Sequence, residues 1–423
     1  MLWQPPQRTR PCRESWGWPS RAFPTLALRT RIAALVAKSI LTAGLGLRRH
    51  NGSTLMSAEK LTILISPTHR CNMRCDYCYV SDTRHGDMSL SDFEAAYTWI
   101  VKYCQNLGVQ FVDFTWFGGE PLLYGKDKLE SALRKQNQIF SKTDIKFVNR
   151  MQSNLTLVNN DVCRLISEYF GGFIGGSFEP YGKSRKYKDG CISVDDVERK
   201  IELLHNAGIR IGIVSTLVKN DLLPAQELFA WYKHRVEAFR VNRAHSPDGN
   251  SLEKYLTVKE YNDYVIALCD LYTHDNSEDL QFTNFTAIAR SILLNRPFAC
   301  TDILEPYWKL SIAGNGEIAS YCRKKDAVIG NYYTSTVQDV IVTYKQYAYP
   351  RLTPKACREC ESYANKICSG SCWGEPDKDC AESNCGYRSE YTKETISYVQ
   401  RYLQSNGITR IEDCYATGMS KIL

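Results

Sequence analysis

The sequence predicts an α/β fold in which a parallel sheet curls into an open barrel and a small cysteine-rich region follows. Three observations predict it. From Lys60 onward, short apolar strand-like runs alternate with helix-like stretches at βα spacing. Polar or glycine-bearing turns stand at the ends of those runs, where parallel α/β sheets carry their chemistry. Most of the 17 cysteines fall into two groups, one near residue 75 and one beyond residue 295.

Each element has a local reason. Leu61–Ile65 is a short apolar run that leads straight into the first cysteines. Ser89–Leu107 reads as a helix, with Asp92 and Glu94 early and Gly108 as its stop. Val109–Phe117 is the next strand, and Gly118-Gly119-Glu120-Pro121 turns out of it. Further strands are expected at Ile145–Met151, Phe173–Phe178, Arg210–Val218 and Ala238–Arg243, with helices between them such as Val194–Asn206, which ends in Ala207-Gly208. Six such βα repeats imply the curled parallel sheet, with its active end at the carboxyl ends of the strands.

At 423 residues the chain has room for one barrel-sized domain and a smaller one. An apolar fraction of 43% and a charged fraction of 23% are ordinary for a globular protein. No run of about 20 uncharged apolar residues occurs, so no spanning helix and no membrane partner are expected. The formal charge of +7 is confined to the start: residues 1–55 carry nine Lys or Arg against Glu14, a net of +8, and the rest is near neutral with 44 basic and 45 acidic residues. A nucleic-acid partner is therefore not expected. The basic segment could pass for an organelle transit peptide. The preferred expectation is a start at Met56 with a disordered or mis-assigned stretch upstream, because the strand pattern begins only at Lys60.

The chemistry is concentrated in Cys71-x3-Cys75-x2-Cys78. Three thiolates leave one iron of a cubane cluster without a protein ligand; a zinc knuckle or redox thiols are the competing readings. The segment resembles the radical S-adenosylmethionine (SAM) superfamily signature, in which the open iron chelates the amino and carboxylate groups of SAM and an aromatic, here Tyr77, precedes the last cysteine. The resemblance implies a partial (β/α)6 TIM-type barrel over residues 56–245, with a [4Fe-4S] cluster and SAM as cofactors. It also implies that Gly118, Gly119, Glu120 and Pro121, 40 residues after Cys78, hold the SAM amino group. Glycines there let backbone approach a ligand closely. Ser153 and Asn154, after the third strand, are candidates for the SAM carboxylate or ribose, or equally for an Asx or Ser turn. Ser177 and Glu179 stand where relatives read Ser-x-Asp-Gly, so ribose or substrate contact at Glu179 is an expectation despite the changed residue. Arg185 matches a position often held by arginine, though a solvated salt bridge explains it as well. Ser215, Thr216 and Arg243 complete a ring of polar groups at strand ends, and Glu179, Arg185 and Arg243 are the catalytic candidates.

Beyond residue 295 come Cys300, then Cys322 across the hairpin-like Ile312–Ile318, then Cys357-x2-Cys360-x7-Cys368-x3-Cys372, with Cys380 and Cys385 behind. Over residues 299–390 this resembles the SPASM domain, the auxiliary-cluster extension of peptide-modifying radical SAM enzymes; a structural zinc site is the competing reading. The resemblance implies two auxiliary [4Fe-4S] clusters, one on Cys300, Cys322 and Cys372, and one on Cys357, Cys360, Cys368 and Cys385, with Cys380 a further candidate ligand. Residues 246–298 read as a helical linker and 391–423 as a C-terminal helix and tail. Cys12, Cys104, Cys163, Cys191, Cys269 and Cys414 read as packing residues.

The implied activity is reductive cleavage of SAM to a 5′-deoxyadenosyl radical and hydrogen-atom abstraction from a ribosomally made peptide, forming a thioether or carbon–carbon crosslink. The alternatives are formylglycine formation by an anaerobic sulfatase-maturating enzyme and a non-catalytic iron–sulfur or zinc protein. Arg323 stands directly after Cys322, where sulfatase maturases tend to place an aspartate base, and a guanidinium cannot serve as one. That favours the peptide maturase. The expected partners are a peptide or protein substrate and a flavodoxin- or ferredoxin-type electron donor, in the reducing cytoplasm.

Overall fold

Alternating apolar runs become strands wherever a βα turn can return the chain, and all six predicted strands are found. The computed structural model describes residues 60–78, 86–187, 190–191, 193–244, 254–275, 277, 279–295, 309–320, 328–347, 393–417, 419 and 421. The barrel strands are β1 (Leu61–Ile65), β2 (Phe111–Trp116), β3 (Lys146–Ser153), β4 (Phe173–Ser177), β5 (Arg210–Leu217) and β6 (Ala238–Arg243). Between them run α1 (Leu90–Leu107), α2 (Lys126–Phe140), α3 (Asn160–Tyr169), α4 (Val194–Asn206) and α5 (Ala225–Lys233). Then come α6 (Val258–His274), the short β7 (Gln281–Phe282) and α7 (Thr283–Leu294). β8 (Lys309–Ile312), β9 (Glu317–Ser320), β10 (Val328–Asn331), α8 (Val337–Tyr347), α9 (Lys393–Ser405) and α10 (Ile411–Ala416) follow.

The ten strands form one sheet in the order β10-β9-β8-β1-β2-β3-β4-β5-β6-β7. Every pair from β8 through β1 to β7 is parallel, as βα connections require. The fold is a partial TIM-type barrel. Two additions extend it. β7 adds to β6 through Ala238–Gln281, and the predicted Ile312–Ile318 turn forms an antiparallel hairpin whose first strand joins β1 from Thr62–Lys309 to Ile65–Ile312. Residues from the cysteine-rich region thus continue the barrel's own sheet, while Cys300, Cys322, Cys357, Cys360, Cys368, Cys372, Cys380 and Cys385 lie outside the described residues.

Strand periodicity sorts the side chains. One face packs aromatics under the helices: Phe114 meets Tyr97 and Phe140 edge-on, and Phe239 stacks between Tyr232 and Phe282 at 4.4 and 4.5 Å. The alternate positions carry polar groups, with Asp113 held by Lys60 and Arg150, Gln152 donating to Ser177, and Arg240 donating to Asn242. At the far edge α9 docks on α6 and α7 through a Thr395–Asn262 hydrogen bond and a Phe285–Tyr402 ring contact. Among the described residues, no helix is long and apolar enough to cross a membrane.

Asp92 ties α1 to the edge strands. Its carboxylate completes a capping box with Ser89 and accepts from the hydroxyls of Tyr332 at 3.1 Å and Tyr333 at 2.7 Å. Burial raises its pKa, and these donors outweigh that, so the net shift is downward from 3.8. A depressed carboxylate contributes stability above its unfolded pKa and loses it as the pH falls through the folded value. Asp92→Ala is expected to cost about 1–2 kcal/mol at neutral pH, a difference that closes once the pH drops well below 3.8. Urea denaturation of both proteins across that range checks it.

Candidate active site

The site is built on the carboxyl ends of β1 to β5. The loop after β1 carries Thr68 to Cys78 and lies against the loop after β2. Gly119 N–H donates to the Thr68 carbonyl at 3.1 Å, and Glu120 N–H to the Arg70 carbonyl at 2.8 Å. Glycine is required here by space. A Cβ on Gly118 would stand 2.4 Å from the Thr68 oxygen, and one on Gly119 2.2 Å from the Arg70 oxygen. The expectation that these glycines open backbone to a ligand is thus refined: their missing side chains admit the cysteine loop itself.

Glu120 is 1% exposed. Its Oε1 accepts from Leu122 N–H at 3.1 Å and the Ser153 hydroxyl at 2.9 Å, and its Oε2 from Asn154 N–H at 2.7 Å. Burial pushes its pKa up, opposed by those three donors. The carboxylate joins the β2 loop to the end of β3. Ser153 and Asn154 form the turn that sequence left as one of two options: the Ser153 hydroxyl accepts from Leu155 N–H, and Asn154 Oδ1 from Thr156 N–H and its hydroxyl. The Asn154 amide also donates to Asn72 at 2.8 Å, and Asn72 donates to Thr156, so the cysteine loop is pinned to β3 as well.

On the opposite side the loop meets the segment after β4. Glu179 accepts from the Tyr77 hydroxyl at 2.8 Å, from Arg185 at 2.7 and 3.2 Å, and from Thr216 N–H at 2.7 Å. The side chains of Glu179 and Arg185 are only 11% and 10% exposed, so this is a buried, bidentate pair rather than the solvated bridge sequence allowed. Burial works against the Arg185 charge, and the Glu179 carboxylate more than reverses this, leaving its pKa raised. The guanidinium also stands 5.7 Å from the Tyr77 ring centre. Burial, and then the charge of Glu179, holds the Tyr77 hydroxyl protonated.

Two further members of the predicted polar ring are Ser215 and Arg243. The Ser215 hydroxyl is buried between the Phe178 carbonyl and the Tyr232 hydroxyl. Arg243 donates to the Leu256 carbonyl at 3.3 Å. Ser177 sits at the mouth and accepts from Gln152. Cys104, Cys163, Cys269 and Cys414 are buried thiols, as packing residues should be.

The three loop cysteines are unpaired; Cys71 and Cys75 are partly covered and Cys78 is exposed. Burial pushes up both covered thiols, Cys75 to about 11, opposed at Cys71 by the Met73 backbone amide and then Arg185, and at Cys75 by Arg185. Thiols this close on one loop fit a metal centre. Among the described residues no three His, Cys, Asp or Glu side chains gather as the ligands of one metal ion. A cubane takes each thiolate on a separate iron. The donor set therefore suits a cluster with three protein ligands. Sequence did not reveal the Asn72–Asn154 and Tyr77–Glu179 contacts, because their partners lie 82 and 102 residues apart.

Residues 65–222 match the radical SAM superfamily. The serine-type anaerobic sulfatase-maturating enzyme of Klebsiella aerogenes is 30% identical over 161 residues, which is 36% of this chain and 38% of that enzyme. Native anSMEcpe with bound AdoMet and Cp18Cys peptide superposes with a TM-score of 0.66 at 19% identity, covering 82% of this chain and 97% of that one. Streptococcus suis SuiB bound to precursor peptide SuiA gives 0.53 at 14% identity, with 88% of each chain covered. These two structures share the fold.

Proposed function

We propose, from the premise that this chain is a radical SAM enzyme with a [4Fe-4S] cluster and SAM as cofactors, that it modifies a ribosomally made peptide by hydrogen-atom abstraction, forming a thioether, a carbon–carbon crosslink or a similar bond. The observation that carries this reading is the clamped loop: three neighbouring thiols at the barrel mouth, gripped by the Gly119–Glu120 backbone on one side and by Glu179 on the other. When bound, the cofactors supply a 5′-deoxyadenosyl radical able to abstract hydrogen from an unreactive carbon.

Cys71, Cys75 and Cys78 are the ligands of the cluster. Gly118, Gly119 and Pro121 shape the wall beside it, and Glu120 fixes that wall to Ser153 and Asn154. Glu179 orients Tyr77 and Arg185, whose buried charge lies next to the thiols and eases their deprotonation. The anSMEcpe structure holds the Cp18Cys peptide, and the SuiB structure holds precursor peptide SuiA. The cysteines beyond residue 295 would hold two auxiliary clusters, and a flavodoxin- or ferredoxin-type protein would deliver the electron.

A second reading is favoured by one observation, the similarity to the Klebsiella sulfatase-maturating enzyme: oxidation of a peptidyl Cys or Ser to formylglycine. Arg323, whose position weighs against it, lies outside the described residues. The full chain, reconstituted anaerobically and reduced with dithionite, is expected to bind about twelve irons in three clusters and to convert SAM to 5′-deoxyadenosine. Intact SAM with a filled Cys71–Cys78 site overturns the enzyme reading. Mass spectrometry of treated peptides then separates the two reactions: formylglycine from Cys loses the sulfur that a crosslink keeps, and formylglycine from Ser, which like a crosslink loses two hydrogens, is told apart by the hydrazone its aldehyde forms.

A further inference from the structure

Residues 183–187 lie along the cysteine loop as a strap whose last two residues, Lys186–Tyr187, form a short strand. Arg74 N–H donates to the Lys186 carbonyl at 2.8 Å and Asp76 N–H to the Ser184 carbonyl at 2.9 Å, so both neighbours of Cys75 are bonded to this strap. Met73 bridges antiparallel to Tyr187, and Lys186 and Tyr187 pair in turn with Cys191 and Gly190. A two-residue hairpin has little stability of its own. Its inner side is held by the Arg185–Glu179 pair; what holds the turn entering it is Asp221. The Asp221 carboxylate, on the turn after β5, accepts from Lys183 N–H at 3.0 Å and Ser184 N–H at 2.7 Å through a single oxygen, Oδ2. Ser184 is therefore gripped at both ends of its peptide units: its N–H by Asp221, its carbonyl by Asp76 of the cysteine loop.

We propose that Asp221 is a positioning residue: acting through the 183–187 strap, it sets the backbone on either side of Cys75 and so the geometry of the metal-binding loop. It touches no cysteine itself. The chain of force is carboxylate to strap amides, strap carbonyls to the amides of Arg74 and Asp76, and these to Cys75 between them. Hydrogen bonds to a charged acceptor are the stronger kind, and losing two of them frees the strap to part from the loop. The Lys186–Asp76 ion pair does not replace them, because its partners are 38% and 55% exposed and such pairs contribute little. The inference deepens the proposed function, since it concerns the same loop, but its test needs no cluster.

Thiol alkylation of the reduced, metal-free full chain, resolved by peptide mass spectrometry, reads it directly. Asp221→Ala is expected to speed alkylation of Cys75 by about tenfold or more, the equivalent of one charge-assisted hydrogen bond, while buried Cys104 stays protected as a report of the intact barrel. Asp221→Asn keeps an oxygen for both amides and is expected to restore most of the protection. An unchanged Cys75 rate in Asp221→Ala overturns the proposal, as does an Asn variant that behaves like the Ala one. Should Cys104 react as fast as Cys75, the variant has unfolded and the wild type decides: the amides of Arg74, Asp76, Lys183 and Ser184 must exchange hydrogen with a common opening free energy, and separate exchange refutes the coupling. Failure here leaves SAM cleavage untouched, so the two proposals fall separately.

Discussion

Gly119→Ala is expected to remove SAM cleavage almost entirely. The added methyl would lie 2.2 Å from the Arg70 carbonyl oxygen and 2.5 Å from that of His69, far inside the 3.0 Å that real Cβ atoms respect. Both obstacles are backbone, so no rotamer change relieves the clash and the cysteine loop must move away from β2. That displacement stretches the Gly119–Thr68 and Glu120–Arg70 hydrogen bonds together. Overpacking of this kind costs about 1–3 kcal/mol, with about 1 kcal/mol more for each bond lost. A displacement of about 1 Å in a reacting group costs on the order of a hundredfold in rate, and here the loop that carries all three proposed ligands shifts. The measurements are 5′-deoxyadenosine formed per chain and the melting temperature. Parent-like turnover in the variant would show that the loop does not depend on this contact.

Glu179→Ala is expected to be the costliest single truncation for stability. It strands the Arg185 guanidinium at 10% exposure without its carboxylate, and leaves Tyr77 and Thr216 N–H short of an acceptor. Breaking a buried pair from one side costs about 3–5 kcal/mol, because the remaining charge is uncompensated. Removing Arg185 as well is expected to return part of that loss, since the second change takes away the stranded charge. Urea midpoints for the two single variants and the double variant give the coupling energy. A Glu179→Ala loss below about 1 kcal/mol, the range of exposed pairs, would mean that water reaches Arg185 and that the network does not hold Tyr77.

Legibility followed sequence distance. Helix α1 was readable to its ends, because Ser89, Asp92 and Gly108 act on their own neighbours: the serine and aspartate cap each other, and Gly108 takes the left-handed φ of 68° that stops the helix. Strands β1 and β6 were placed to the residue, and β2 came out shorter at its start than the apolar run suggested. The cysteine triplet was legible for the same local reason, since one loop supplies all its thiols. Glu179 was legible as a carboxylate at a strand end, and only the fold shows Arg185, Tyr77 and Thr216 N–H converging on it. Glu120 is the parallel case, its carboxylate accepting from Ser153 and Asn154 at the end of β3 as well as from Leu122 N–H. Asp221 carried no signal, because its partners are backbone amides that any residue but proline provides.

By itself the sequence determined the chemistry on offer, three thiolates in one loop and a glycine pair after the next strand, together with the βα rhythm that brings both to one end of a sheet. Tertiary structure decided what each polar group does with that chemistry. The reason is physical: spacing along the chain sets which residues share a loop or a face, but a buried carboxylate must be neutralised or hydrogen-bonded by whatever packs against it. Those partners, from Arg70 to Thr216, are chosen by the curl of the sheet.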